Sequence, residues 1–243
     1  MLDILAPDLY NDFEPFAKLY TRSGNPLFIP EGQSGADGAN RAISAFVNHN
    51  AICYSAFGIE SGGPGGRRGA AGADGTPPPD PFAQTYAILD FLAPVILDNQ
   101  GKDTIAILEP MNDTNAAPQT LKMGDYTLTI RYGAGAGGSR GGARRGGGGG
   151  GGGSGATNTS PARLVINSGP GDYWFVGGPM NVTFTPNSPE RGSAVMGSFD
   201  EALNVDGRWV AGRRLNGDET SNNKNWQTMG SFGIYHYTVF QRQ

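Results

Sequence analysis

The sequence predicts a chain of two parts, an α/β region over residues 1–101 and an all-β region over residues 102–243. In the first part, short apolar runs alternate with stretches whose apolar residues recur every three or four positions, a pattern typical of strands followed by helices. In the second part, short alternating segments are separated by turns rich in glycine, asparagine and aspartate. That pattern favours an antiparallel β-sandwich.

Residues 1–101 divide into three strand–helix units. The predicted strands cover residues 3–6, 27–29 and 51–57. The helices that follow are expected to begin at residues whose side chains cap helix N-termini, namely Asn11 or Asp12, Asp37 and Asp80. The first helix is expected to turn one face inward, formed by Phe13, Phe16 and Leu19 or Tyr20. Strands that alternate with helices pair in parallel through right-handed crossovers.

Three such units are too few for a closed (β/α)8 barrel, which takes roughly 250 residues. A free three-stranded arc would leave a sheet edge and an apolar face exposed. The pattern therefore favours a partial (β/α)8 barrel consisting of its last three βα units, with a small open sheet as the alternative.

Glu31 follows an apolar triplet, residues 27–29, that is flanked by Pro26 and Pro30. The triplet is too short for a helix and suits a strand that is buried on both faces. Pro30 is expected to end this strand because it has no N–H to donate. Glu31 would then lie at the carboxyl end of a buried strand, where barrel enzymes carry their catalytic groups. A solvated loop glutamate is the alternative.

Two segments rich in glycine interrupt the pattern. Residues 61–79 have few side chains to bury and are expected to form a mobile loop, either a lid over the strand ends or a low-complexity insertion. Residues 133–161 contain an unbroken run of eight glycines and are expected to be a disordered insertion between two strands. The arginines in this insertion leave open a contact with an RNA backbone.

Composition excludes several classes of protein. The 18 basic and 22 acidic residues give a net charge of -4 without a basic stripe, which argues against nucleic acid as the main partner. No apolar run approaches the roughly 18 residues of a membrane span. Cys53 is the one cysteine, and His49 and His236 lack the spacing of metal ligands, so we expect no metal site and no cofactor.

Blocks in both parts of the chain resemble a known family. The sequences LAPDLY (5–10), NPLFIPE (25–31) and FGIE (57–60) resemble the closing barrel strands of β-galactosidase-like glycoside hydrolases. The tail DGRWVAGRRLNGDE (206–219), together with FGI (232–234), is similar to the uncharacterised C-terminal β domain attached to such barrels in bacteria and fungi. The resemblance covers most of the chain outside the glycine-rich insertions.

The resemblance implies that Glu31 is the nucleophile of a retaining glycosidase, which acts on a β-galactoside or related oligosaccharide together with a second carboxylic acid. In the family that acid is a glutamate on the fourth strand, and this sequence contains no such strand. Tyr10 would support the nucleophile, stack on sugar or pack at the rim, and Asp8 would cap or brace the turn. Glu60 would bind sugar hydroxyls or Glu31, or anchor a loop. We therefore expect a C-terminal fragment with little or no activity alone, whose partner is the missing N-terminal barrel portion.

A non-catalytic carbohydrate-binding or structural β module is the alternative function. In that case the region from Thr104 onward would be the functional part. Its three tryptophans, Trp174, Trp209 and Trp226, would either form a platform for sugar rings or pack into the core.

Overall fold

The structure, a computed structural model, describes residues 3–58, 80–108, 117–132, 163–215 and 232–242, and the backbone of residues 226–229. Glu60, the predicted loop 61–79 and the predicted insertion 133–161 lie outside the described residues. The described helices are α1 (Phe13–Tyr20), α2 (Gly35–Asn48) and α3 (Pro81–Asn99).

The N-terminal strands form a small parallel sheet, here called sheet A. Its strands are β1 (Asp8–Leu9), β2 (Phe28–Gly32) and β3 (Cys53–Ala56), paired in the order β1-β2-β3. Parallel pairing of three strands separated by helices agrees with the alternating sequence pattern.

The first strand is misplaced in the sequence prediction. Residues 3–6 are exposed and not part of a strand, and β1 begins at Asp8, beyond Pro7. The side-chain amide of Asn25 accepts a hydrogen bond from the Leu5 backbone N–H at 2.9 Å and donates one to its carbonyl oxygen at 3.1 Å. A side chain therefore satisfies the backbone groups that a neighbouring strand would otherwise pair.

The end of β2 also differs from the prediction. The strand continues through Pro30 to Gly32, so Glu31 is the second-to-last residue of the strand rather than a residue that follows it. The pairing with β3 shifts between Ile29 and Gly32. Proline is tolerated here because its missing N–H falls where the ladder is already interrupted.

The predicted capping side chain is confirmed at one of the three helices. The Asp80 carboxylate accepts a hydrogen bond from the Phe82 N–H at 3.0 Å at the start of α3. Asp12 directly precedes α1, but its side chain makes no capping hydrogen bond. Asp37 lies in the first turn of α2 instead of capping it, because the helix begins at Gly35, directly after Ser34.

The inward face of α1 is narrower than predicted. Phe13 and Ala17 are buried and Tyr20 packs against the same cluster, whereas Phe16 and Leu19 are 43% and 46% exposed. In the described part of the chain, no element covers the outer side of this helix next to β1.

The remaining strands are antiparallel. In chain order they are β4 (Ile105–Leu108), β5 (Gln119–Met123), β6 (Tyr126–Tyr132), β7 (Arg163–Gly169), β8 (Asp172–Gly177), β9 (Met180–Pro186), β10 (Ser193–Glu201), β11 (Leu203–Val205), β12 (Arg208–Val210), β13 (Trp226–Met229) and β14 (Gly233–Arg242). Sheet B has the order β10-β14-β8-β7-β4, sheet C has the order β13-β9-β6-β5, and β11 and β12 form a separate hairpin.

Three apolar clusters hold the layers together. One joins sheet A to α1, α2 and the start of α3. The second joins α2 and α3 to one face of sheet B, and the third fills the space between sheets B and C. The third cluster agrees with the predicted sandwich, and it contains the inward residues of β6, Tyr126, Leu128 and Ile130, as their alternation predicts.

The structure thus combines three described helices with several antiparallel sheets. The division into residues 1–101 and 102–243 stays a prediction. None of the described helices is long and apolar enough to cross a lipid bilayer.

Candidate active site

Tyr10 and Glu31 meet at the carboxyl edge of sheet A. The parallel register pairs Asp8 with Glu31, and Tyr10 is the first residue after β1. The Tyr10 hydroxyl donates a hydrogen bond to Oε1 of Glu31. Both side chains are half-buried, so the pair is fixed by the fold and still open to solvent.

The surroundings of Tyr10 keep its hydroxyl protonated. Burial, the hydrogen bond to Glu31 and the negative charges of Glu31 and Asp8 together raise the pKa of Tyr10 to about 12. At neutral pH the phenol is therefore a permanent hydrogen-bond donor to the Glu31 carboxylate.

Phe57 brings an apolar surface to the same edge. It follows β3 directly, and its ring stands edge-on to Tyr10 with the ring centroids 6.5 Å apart and the planes at 76°. The side chain is 62% exposed. Sequence reasoning missed Phe57 as a site residue, although its position after a parallel strand, like that of Tyr10, is a signal that could have identified it.

Arg41 supports the site from α2. Its Nη1 donates a hydrogen bond to the backbone carbonyl oxygen of Tyr10. This contact fixes the segment that leaves β1. Nothing in the sequence around Arg41 indicates this role, because the contact spans 31 residues of chain.

Close packing fixes the backbone that follows Glu31. The Tyr54 hydroxyl donates to the Gln33 carbonyl oxygen at 2.9 Å, and burial raises the pKa of Tyr54 to about 12. A Cβ added to Gly32 would lie 2.8 Å from this ring, and one added to Gly38 would lie 1.9 Å from the Gln33 oxygen. Glycine at both positions lets α2 and Tyr54 approach the turn after β2.

The arrangement provides one oriented carboxylate with a phenol donor beside an exposed aromatic ring. A carboxylate held in this way can act as a nucleophile or accept hydroxyl hydrogen bonds. Among the described residues, no group of three or more histidine, cysteine, aspartate or glutamate side chains is positioned to hold a metal ion. The structure brings Tyr10 and Glu31 together, whereas the position of Glu60 lies outside the described residues.

A search of curated proteins found no match to the chain. A family model described as "Domain of unknown function (DUF5597)" matches residues 82–227, which run from the first turn of α3 into β13. Tyr10 and Glu31 precede the matched residues. Because the match covers more than half of the chain, the protein belongs to the DUF5597 family.

Proposed function

We propose that the chain carries the nucleophile side of the active site of a retaining, β-galactosidase-like glycoside hydrolase. The observation that carries the proposal is the hydrogen bond from Tyr10 to Glu31 at the carboxyl edge of parallel strands. Glu31 is the nucleophile, and Tyr10 holds one of its oxygens. The proposed substrate is a β-galactoside or related oligosaccharide.

The geometry suits the first step of this reaction. An ionised Glu31 attacks the anomeric carbon, and the bond to the leaving oxygen breaks as the glycosyl-enzyme ester forms. The Tyr10 hydroxyl, neutral because its pKa is about 12, orients the carboxylate without competing for the sugar as a nucleophile. Phe57 offers an exposed ring on which an apolar sugar face can rest.

A second carboxylic acid, roughly 5–5.5 Å from the nucleophile, is needed to protonate the leaving oxygen. Asp8 is opposite Glu31 in register, but it is exposed and we assign it a bracing role. We propose that the acid comes from further barrel units that are not part of this chain. Glu60 remains a proposed hydrogen-bond partner of sugar hydroxyls or of Glu31.

The surface of sheet A supports the partial barrel. Exposed apolar side chains lie beside β1 and at both ends of β3, the two edge strands of the sheet: Ile4, Leu5, Phe16, Leu19, Ile52 and Phe57. Exposed sheet edges with apolar neighbours are typical of surfaces that pair with further strands and helices. The missing barrel portion is therefore the proposed partner.

Covalent labelling tests the role of Glu31 without the missing acid. The reagent is 2,4-dinitrophenyl 2-deoxy-2-fluoro-β-galactoside, whose leaving group needs no protonation. We expect 2,4-dinitrophenolate to be released and one 2-deoxy-2-fluorogalactosyl adduct to form, located by mass spectrometry on the peptide that contains Glu31, and no adduct in Glu31→Gln. Tyr10→Phe should label more slowly, and Glu14→Gln, which alters a carboxylate elsewhere, should label like the unmodified chain.

Two results contradict the proposal. Failure of the folded chain to form an adduct, or an adduct that persists in Glu31→Gln, removes the nucleophile assignment. Hydrolysis of an aryl β-galactoside by the chain alone, abolished by Glu31→Gln, contradicts the claim that the acid is missing. Acid assistance is typically worth about 10²–10⁴-fold in rate, so the chain alone should be nearly inactive.

A non-catalytic carbohydrate-binding module remains the second candidate. The observation in its favour is that Trp174 and Trp209 are half-buried rather than enclosed in the core. The side chain of Trp226 lies outside the described residues. Retention on an insoluble polysaccharide, compared with a variant in which all three tryptophans are alanine, tests this function.

A further inference from the structure

A groove of about 470 Å³ lies between the first half of α3 and the hairpin β11–β12, away from Tyr10 and Glu31. Its volume is within the range of small-molecule pockets. The side chains that the argument uses are Asp80, Gln84, Ala87, Asn204, Trp209 and Phe232.

The aromatic side of the groove is built by the hairpin. Asn204 and Trp209 are Cα partners across β11 and β12, so their side chains project from the same face of the hairpin. Trp209 and Phe232 are half-buried and pack against the core that α3 shares with sheet B. Their anchored rings provide a firm apolar wall with surface still accessible.

The opposite wall is one face of α3. Gln84 and Ala87 are three residues apart and share a helix face, and Asp80 caps the helix one turn before Gln84. Ala87 lines the groove together with Trp209, and its small side chain takes up little of the space. Larger residues at this position would fill the groove instead.

The polar side chains around the groove are the neutral amides of Gln84 and Asn204 and the carboxylate of Asp80. Oδ1 of Asp80 accepts the capping hydrogen bond from Phe82, which leaves Oδ2 as an acceptor for a ligand. Oδ1 of Asn204 accepts from the Gly207 N–H at 3.0 Å, which leaves its NH₂ group as a donor. Gln84 adds both a donor and an acceptor. Among the described residues, those that line the groove include no lysine, arginine or histidine, which disfavours an anionic ligand.

We infer that this groove binds a neutral sugar ring of an oligosaccharide. An aromatic wall accepts the C–H face of such a ring, and amides with one carboxylate match hydroxyls that both donate and accept. The inference deepens the carbohydrate-binding candidate by naming its site, and it holds whether or not Glu31 is a nucleophile.

The groove is connected to the candidate active site through the start of α3. The Phe82 ring packs on Tyr54 with centroids 6.0 Å apart, and Tyr54 binds the Gln33 carbonyl oxygen two residues after Glu31. Asp80 and Gln84 lie on the side of the helix that faces the hairpin. The start of α3 separates the groove from the Tyr10–Glu31 pair. The groove would therefore hold a different sugar ring of the oligosaccharide from the ring that Glu31 attacks.

Calorimetric titration of the 243-residue chain tests the inference, with β-1,4-galactotetraose, cellotetraose and inorganic phosphate as separate probes. We expect saturable binding of a tetrasaccharide and none of phosphate. Gln84→Ala should weaken binding about 3–10-fold, the loss expected for one neutral hydrogen bond. Trp209→Ala should weaken it at least about tenfold.

Two matched variants make the result specific. Asp90→Ala changes an exposed position of the same helix outside the groove and should bind like the unmodified chain. Glu31→Gln should also bind normally, so a failure here is distinguishable from a failure of the catalytic proposal. Gln84→Ala keeps a good helix former at its position and decides the question even if Trp209→Ala does not fold.

Three outcomes overturn the inference. They are no saturable binding of either tetrasaccharide, equal affinities of Gln84→Ala and Asp90→Ala, and saturable binding of phosphate in the groove. Loss of binding in Glu31→Gln with full binding in Gln84→Ala would assign the sugar to the Glu31 site and reject the groove.

Discussion

Sheets A and B differ in how completely they are covered. Sheet B packs against α2 and α3 on one face and against sheet C on the other, so it contributes to two apolar clusters. In β7, Leu164 and Ile166 face the helices while Val165 faces sheet C. Sheet A contributes to one cluster, and Ile52 and Phe57 at the ends of β3 are 58% and 62% exposed.

The difference indicates that one region supplies most of the stability and the other carries the candidate active site. Burial of apolar surface supplies most of the free energy of folding, so sheet B and its two covering layers hold most of the stability. Tyr10 and Glu31 lie on the less covered sheet, where a solvent-accessible edge leaves room for a ligand. α3 links the two regions, because Phe82 belongs to the cluster of sheet A and Leu92 to that of sheet B.

The largest effect should come from an aromatic residue between sheets B and C. Phe184 is fully buried and stacks on Tyr237 with centroids 4.7 Å apart. Phe184→Ala should lower the free energy of unfolding by about 3–5 kcal/mol, because it loses apolar contacts and leaves a cavity. Urea denaturation followed by circular dichroism measures the change.

Phe57→Ala on sheet A is the matched control for that substitution. Its ring is mostly exposed, so the free energy of unfolding should change by no more than about 0.5 kcal/mol. Equal losses from the two substitutions would reject the contrast between the sheets.

The next effect concerns the link formed by α3. Leu92 is fully buried against sheet B, whereas Leu97 on the same helix is 67% exposed. Leu92→Ala should cost about 2–5 kcal/mol and Leu97→Ala less than about 0.5 kcal/mol. Urea denaturation followed by circular dichroism in the far and near ultraviolet measures the change in free energy of unfolding for each variant. Similar values would mean that α3 is not the element that joins the regions.

Local signals predicted α3 and β6 well because their determinants lie within a few residues. Asp80 and Pro81 mark the start of α3, and Gly101 adopts a φ of +72° just after its end. The alternation in β6 matches its buried face residue by residue. Both elements could be predicted without knowing which segments they pack against or pair with.

Strand β10 could not be found from its own sequence. Ser193–Glu201 has no clear apolar alternation, contains Gly197 and has a register irregularity between Met196 and Ser198. Its pairing with β14, some forty residues further along the chain, is what makes it a strand. Arg214, beyond β10 in the chain, adds an isolated bridge with Asp200.

The candidate site was predictable to the extent that it depends on strand ends. The apolar triplet before Glu31 points to this residue, the family resemblance points to Tyr10, and the parallel register brings the two together. Arg41 and Tyr54 act through contacts between distant segments, which no pattern around either residue indicates.

A smaller effect is expected at the start of α3. The Asp80 side chain caps the helix, so Asp80→Ala should cost about 1 kcal/mol. Asp80→Asn is the matched control, since asparagine caps nearly as well, and it should be almost neutral. Thermal denaturation of both variants measures the loss of stability. A loss in Asp80→Ala that is absent in Asp80→Asn is due to the capping hydrogen bond. A neutral Asp80→Ala variant would mean that packing alone sets the beginning of α3.

The smallest effect is a pH dependence in the region of sheet A. Glu14 on α1 accepts hydrogen bonds from the Ser44 hydroxyl and from Nε2 of His49, the latter at 2.8 Å. Burial raises the pKa of Glu14, but the hydrogen bonds from Ser44 and His49 outweigh it, so the net pKa lies below its ordinary value.

A carboxyl group whose pKa is lower in the folded state stabilises the protein above its unfolded pKa, which is about 4.3. That contribution is lost as the pH falls through the lower, folded pKa. The difference in free energy of unfolding between the unmodified chain and Glu14→Gln should therefore be constant near neutral pH and shrink below about pH 4. Because the Glu14 side chain is 49% exposed, solvent screens the interaction and the difference should be small. Urea denaturation of both proteins between neutral and acidic pH measures it, and a difference that grows on acidification would contradict the lowered pKa of Glu14.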